Sequence, residues 1–257
     1  MTNAEQVSAI TGAFRDGLQG ILGKKLHGLY IYGAAAFPDG GPTLDIDFHV
    51  ILNDPLTEKE RSDLRALHES LAQQFPPLGA ELDGYYILLR DARRRILPRS
   101  QLWSGATDDS WALHREHIRA GRCLVVYGPD PRGIYPPATW SELEHALIGE
   151  LLYVQKHMQG HPAYCVLNLC RLIYSFETRN VAVSKATTAD WARQAFPEWQ
   201  GLIGLARKSY AQPVTTEERQ QMLAGVGRLF QFALARIREA TTGVRSGRTN
   251  QTSQGLP

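Results

Sequence analysis

Apolar residues recur at helical spacing from the start of the chain. Val7, Ile10, Phe14, Leu18, Ile21 and Leu22 predict a helix over residues 4–22. The pattern then shortens to an aromatic and β-branched run, Leu29-Tyr30-Ile31-Tyr32, a strand stopped by Gly33. Residues 34–37 begin a short helix, and Pro38-Asp39-Gly40-Gly41-Pro42 is a turn. Residues 44–52 open with alternating apolar and polar positions, as a half-buried strand does, and Asn53-Asp54-Pro55 breaks the run. Thr57 and Glu60 have the spacing of a capping box for a helix through Leu64, Leu67 and Leu71, which Pro76-Pro77 ends. A third strand is predicted over residues 81–89, a helix over 111–120 and a short strand over 123–127. After Pro136-Pro137 the spacing is helical from Trp140 nearly to residue 240, with breaks near Arg179-Asn180 and Gln212-Pro213. This order predicts an α+β chain. A mixed β-sheet domain with flanking helices covers residues 1–138, and an all-α helical bundle covers 139–241. A Gly/Ser/Thr/Gln-rich tail, 242–257, is expected to be disordered.

Composition narrows the partners. The chain has 257 residues, 43% hydrophobic and 21% charged, enough for an ordinary core. Its net charge of +2 makes no demand for a nucleic acid or an anionic membrane. The basic run Arg90, Arg93, Arg94, Arg95 and Arg99 reads as a solvated turn. Three cysteines without CxxC spacing point away from a disulfide framework or a zinc site and towards a reducing compartment. With no secretory pattern at Met1-Thr2-Asn3 and no apolar stretch of about 18 residues, a cytoplasmic protein is expected, as a monomer or weak dimer.

The candidate chemistry sits on the second strand. Residues i and i+2 of a strand point to one face, so Asp45 and Asp47 place two carboxylates side by side, with Ile46 and Phe48 towards the core. Two like charges held that close favour a cation between them, and Mg²⁺ takes hard oxygen ligands with substrate phosphates completing its shell. Gly33 and the Gly/Pro-rich turn before the pair add a place where backbone amides can approach an anion. His49 shares the face of the aspartates, either near the site or as a partly buried strand residue.

The run Leu29-Tyr30-Ile31-Tyr32-Gly33-Ala34 followed by Leu44-Asp45-Ile46-Asp47 resembles the Gly-Ser … Asp-x-Asp signature of the polymerase-β-like nucleotidyltransferases. Asp83-Gly84-Tyr85-Tyr86-Ile87, Trp111–Arg115 with Leu124–Pro131, Val166–Ser175, Val183-Ser184-Lys185 and Asp190-Trp191-Ala192 are similar to blocks of one branch, the streptomycin/spectinomycin (aminoglycoside) adenylyltransferases. The resemblance implies transfer of AMP from Mg²⁺-ATP to a hydroxyl of a small molecule. It places Asp45 and Asp47 as magnesium ligands and Asp83 as third carboxylate and general base, with Glu81 on the same face as the alternative. It places Gly33, Ala34, Thr43, Arg171, Lys185 and Tyr210 at the nucleotide. His114 stands either at the nucleotide or in packing between the domains. An acceptor pocket for a polycation needs carboxylates and aromatic walls, for which Trp103, Asp108, Asp109, Glu142, Glu150 and Glu177 are the candidates. Three departures from the family pattern stand out. Ala34 replaces the usual serine, Leu44 precedes the aspartates where a small polar residue is usual, and Gly160-His161-Pro162-Ala163 replaces an acidic turn. Ala34 is the chief argument for the alternative, a degenerate nucleotide-binding or regulatory protein.

Overall fold

The computed structural model describes residues 2–39, 43–103 and 110–249, the last seven by backbone alone. The chain divides into two units, Met1–Ala146 and Leu147–Pro257.

In the first unit, helix α1 (Asn3–Leu22) is fixed at its start by a capping box in which Thr2 and Glu5 satisfy each other's backbone N–H. Strands β1 (Leu26–Ile31) and β2 (Ile46–Leu52) pair antiparallel. Helix α2 (Glu58–Gln74) opens on the expected Thr57/Glu60 capping box. It carries the chain back so that β3 (Leu82–Leu88) lies parallel to β2, a pairing that needs such a crossover. After the short α3 (Leu89–Ala92) and α4 (Trp111–Arg119), strand β4 (Leu124–Tyr127) pairs antiparallel with β1. The sheet order is β3-β2-β1-β4.

Alternation divides the sheet into two unlike faces. Leu29, Ile31, Ile46, Phe48, Val50, Leu52, Tyr86 and Leu88 join Val7, Ile10, Phe14 and Leu18 of α1 and Leu64 and Leu71 of α2 in one core. Phe14 and Phe48 meet edge-on there, their ring centres 5.0 Å apart. The opposite face carries Tyr30, Tyr32, Ile51 and Ile87, covered by Trp111 and Ile118 of α4 and by Ile134 and Tyr135. Asp47, His49, Asp83 and Tyr85 alternate onto this second face.

Helix α5 (Trp140–His157) begins in the first unit and continues into the second. The division falls after Ala146 rather than at the expected residue 138. The first turn of α5 explains the offset. Glu142 caps Thr139 and receives a 2.6 Å hydrogen bond from the fully buried Arg115 of α4. The Pro136-Pro137 composition change thus marks a helix start. In the second unit, α6 (Pro162–Thr178) is apolar around most of its circumference, as a central helix is. It packs against α7 (Lys185–Ala195), α8 (Gln200–Ala211) and α9 (Thr216–Thr249). Arg179, in the left-handed conformation at φ 60°, ends α6 at the predicted break. Helix α9 runs on past residue 241, into the segment expected to be disordered. The cysteines at 123, 165 and 170 are free thiols. No helix among the described residues is long and apolar enough to cross a membrane.

Candidate active site

The β2–β3 ladder sets the first group of side chains. Asp47 pairs in register with Asp83, and His49 with Tyr85. Register partners on parallel strands project to one face, so the two carboxylates stand side by side where the two strands begin. Asp83 is exposed and Asp47 partly so. Gly84 keeps this register tight, because a Cβ there would lie 2.0 Å from the Phe48 carbonyl oxygen. Asp45 lies one residue before β2, in a bend, exposed. The i, i+2 rule used on the sequence therefore does not reach it, and the pair that regular backbone brings together is Asp47 with Asp83. Glu81 lies just outside β3 with non-extended backbone, and its carbonyl accepts from the Ile46 N–H at 2.8 Å. Its side chain is not placed by the ladder as that of Asp83 is.

Gly33 proves to be shaped around Asp47. Its φ is +66°, a conformation L side chains rarely adopt, and a Cβ there would lie 1.6 Å from Asp47 Oδ2. The Tyr32 N–H donates to the Asp47 carbonyl at 3.0 Å, fastening the end of β1 to the start of β2. The role of the glycine is to leave the space the carboxylate fills. Ala34 follows in a 3-10 turn, Gly33–Ala36. Thr43 is buried, its N–H donating to Asn3 Oδ1 at 2.8 Å and its carbonyl accepting from Asn3 Nδ2 at 3.1 Å.

Behind the carboxylates lies a ring of aromatic and imidazole groups. His49 is fully buried, with Nδ1 3.1 Å from the Tyr135 hydroxyl. Burial, and then the neighbouring His114, holds its pKa well below the ordinary histidine value. Its ring lies 4.7 Å from that of Tyr32 and 5.3 Å from that of Trp111. His114 Nδ1 is 3.2 Å from the Tyr32 hydroxyl, and its ring stacks with Tyr85. His49 is a core group of this face, neutral at ordinary pH, rather than a solvent-facing ligand.

The second unit gathers a cationic cluster. Arg171 lies 3.5 Å from Glu150, and the Lys185 ammonium sits 4.1 Å from the centre of the Tyr164 ring. Tyr164 and Tyr210 lie close enough for their phenols to interact electrostatically. Arg171, Lys185 and Tyr210, separate in sequence, thus surround one tyrosine. Sequence reasoning missed Tyr164 and Asn168, which share a face of α6 with Arg171 at i, i+4 and i+7 spacing. An asparagine inside the apolar run 165–170 was the available signal, since a buried amide needs partners.

The acceptor candidates are placed differently. Glu142 is held by Arg115 and its cap, and Glu177 pairs with Arg236 at 2.7 Å. Trp103 contacts His68, which belongs with Phe14, Phe48 and Tyr86 on the face away from Asp47. Within the first unit Glu142 and Trp103 thus have partners other than the carboxylate pair, and within the second Glu177 has Arg236; Asp108 and Asp109 lie outside the described residues. Among the described residues, no group of three or more His, Cys, Asp or Glu side chains is arranged to hold a metal ion. Two adjacent carboxylates suit Mg²⁺, which is bound through one or two of them together with phosphate oxygens and water.

A mixed sheet with paired carboxylates at one end and a helical unit with clustered cations make up a two-part α+β architecture. Residues 136–236 match the family model of the aminoglycoside adenylyltransferase C-terminal domain. The chain also resembles the crystal structure of spectinomycin adenyltransferase AAD(9) from Enterococcus faecialis with ATP and spectinomycin. The TM-score is 0.68 at 17% identity, over 91% of this chain and 98% of that one, a likeness of fold. Residues 136–236 thus resemble that family's C-terminal domain, and the chain as a whole shares the fold of the AAD(9) structure.

Proposed function

We propose that the chain transfers AMP from Mg²⁺-ATP to a hydroxyl of a small polyhydroxylated acceptor of the aminoglycoside kind. The observation that carries this reading is the in-register pair Asp47–Asp83, with Gly33 shaped around the Asp47 carboxylate. Asp45 and Asp47 would hold the magnesium ion, with Asp83 beside them. Bound there, the ion supplies charge neutralisation at the phosphates. Asp83 accepts the proton of the acceptor hydroxyl. That oxygen bonds to the α-phosphorus, the bond from this phosphorus to the bridging oxygen breaks, and pyrophosphate leaves. Arg171, Lys185 and Tyr210 bind the polyphosphate, where charge develops as pyrophosphate departs. The C-terminal family match and the spectinomycin in the AAD(9) structure support the acceptor class.

The test is pyrophosphate release from ATP and Mg²⁺, followed with spectinomycin and with streptomycin. Acceptor-dependent release that disappears in Asp83→Asn supports the reading, and release indifferent to Asp83 contradicts it. Ala34 favours the alternative, a nucleotide-binding protein without efficient transfer, because alanine offers no hydroxyl to a phosphate. Lost hydrogen bonds to a charged group are worth about 1.5–3 kcal/mol. If Ala34→Ser raises ATP affinity roughly tenfold or more and switches on transfer absent from the wild type, the alternative holds.

A further inference from the structure

The cationic cluster of the second unit contains an anion of its own. Glu150, on α5, is largely buried, with its carboxylate 3.5 Å from the Arg171 guanidinium. The same oxygen, Oε2, accepts a 2.9 Å hydrogen bond from Asn168 Nδ2. Asn168 is fully buried, and its Nδ2 also lies 3.4 Å from the Tyr164 hydroxyl. Its Oδ1 has no hydrogen-bond partner among the described residues. A buried amide with half its capacity unused is costly, which argues for a placement set by what its Nδ2 holds. Glu150 is thus anchored at a fixed point beside Arg171, with Lys185 seated at the ring of the neighbouring Tyr164.

We infer that Glu150 is a resident counter-anion of the phosphate-binding cluster, competing with the polyphosphate for Arg171 and promoting release of the pyrophosphate product. The inference rests on the proposed role of Arg171 and Lys185 at the polyphosphate. Arg171, Lys185 and Glu150 together carry one net positive charge. A phosphate arriving at Arg171 comes within a few ångströms of the Glu150 carboxylate, and like charges at that range in a partly buried site repel appreciably. When the phosphate departs, Glu150 recovers the guanidinium, so the cations are never left to repel each other unshielded. Glu150 acts through Arg171 and is a positioning residue. The cluster is consequently matched to a multiply charged ligand, whose attraction to two cations exceeds the repulsion of one carboxylate, and poorly matched to a singly charged one. In the sequence, Glu150 looked like an acceptor-pocket carboxylate; its partners assign it to the phosphate side.

The experiment measures binding of inorganic pyrophosphate to the full chain by calorimetry, in low salt, for the wild type, Glu150→Gln, Glu150→Asp and Arg171→Ala. Glutamine keeps the hydrogen-bonding shape and removes the charge. The expected result is that Glu150→Gln tightens pyrophosphate binding about tenfold, with the gain shrinking as salt is added. Glu150→Asp is expected to stay near the wild type, and Arg171→Ala to weaken binding. In turnover, Glu150→Gln should lower KM for ATP and lower kcat, with stronger inhibition by pyrophosphate. Misfolding does not tighten binding, so the gain is not imitated by structural damage. If Arg171→Ala weakens binding while Glu150→Gln leaves it unchanged or weaker, the counter-anion role is overturned and the phosphate assignment survives. If neither variant changes binding, both fall together.

Discussion

The carboxylates of the first unit and the cations of the second are held in place by different means. Asp47 and Asp83 stand together because backbone hydrogen bonding fixes the register of β2 against β3. Arg171 and Lys185 stand together because side chains hold them, a carboxylate for one and an aromatic ring for the other. Register leaves a strand residue little freedom, since a one-residue slip would turn every side chain to the wrong face. Side-chain networks are adjustable, and their members can exchange one another for a ligand. The first arrangement suits groups that must keep a fixed spacing, the second groups that must grip and release.

The largest effect is expected at the fixed pair. Asp83→Asn keeps the shape of the side chain and removes its basicity, so acceptor-dependent transfer should fall by roughly 10²–10⁴-fold, with thermal unfolding nearly unchanged. A loss below tenfold would break the assignment of Asp83 as the base.

Gly33→Ala tests whether the carboxylate needs the space beside it. The methyl group would meet Asp47 Oδ2 and sit at positive φ. Magnesium-dependent ATP binding should be lost and the fold destabilised by about 1–3 kcal/mol, the range for a strained backbone position. Unchanged stability and binding would show that the turn relaxes freely. A smaller effect is expected on the adjustable side. Lys185→Ala should raise KM for ATP roughly tenfold or somewhat more, as for one charge-assisted contact, with kcat less affected. A fall in kcat alone would move Lys185 from binding to chemistry.

A last effect, on stability and not on transfer, concerns the face of the sheet away from Asp47. His68, on α2, has its Nε2 2.9 Å from the Tyr86 hydroxyl, and burial lowers its pKa to about 4. In the unfolded chain it titrates near 6.5. Between these values the unfolded state binds the proton and the folded state does not. Stability is therefore full above about pH 6.5 and is lost as pH falls towards 4, by at most about 3 kcal/mol. Urea unfolding between those pH values should show this slope, and His68→Phe should flatten it. A slope unchanged in His68→Phe would place the titrating group elsewhere.

Much of this was legible in the sequence where local rules dominate. The capping box at Thr57 and Glu60, the strand ended by Gly33 and the broken helical half follow from propensity, periodicity and turn chemistry. Asp47 and its face followed from alternation. Asp83 was nominated by resemblance alone, because pairing it with Asp47 depends on a parallel register between strands separated by α2, which no local pattern encodes. Asp45 was assigned to the strand by the same alternation, but β2 begins one residue later. Glu142 and Glu177 illustrate the other limit. A carboxylate on a helix reads the same in sequence whether it waits for a ligand or already holds an arginine, and here each holds one. Arg171, Lys185 and Tyr210 were nominated by resemblance, whereas the network that joins them around Tyr164 required the fold.

The most direct test of the central claim is calorimetric titration of ATP into the wild type and Asp47→Asn, with Mg²⁺ and with EDTA. The account predicts that wild-type binding strengthens at least tenfold with magnesium, and that Asp47→Asn abolishes this dependence while remaining folded. Equal binding with and without magnesium in the wild type, or a magnesium effect that survives in Asp47→Asn, would contradict it.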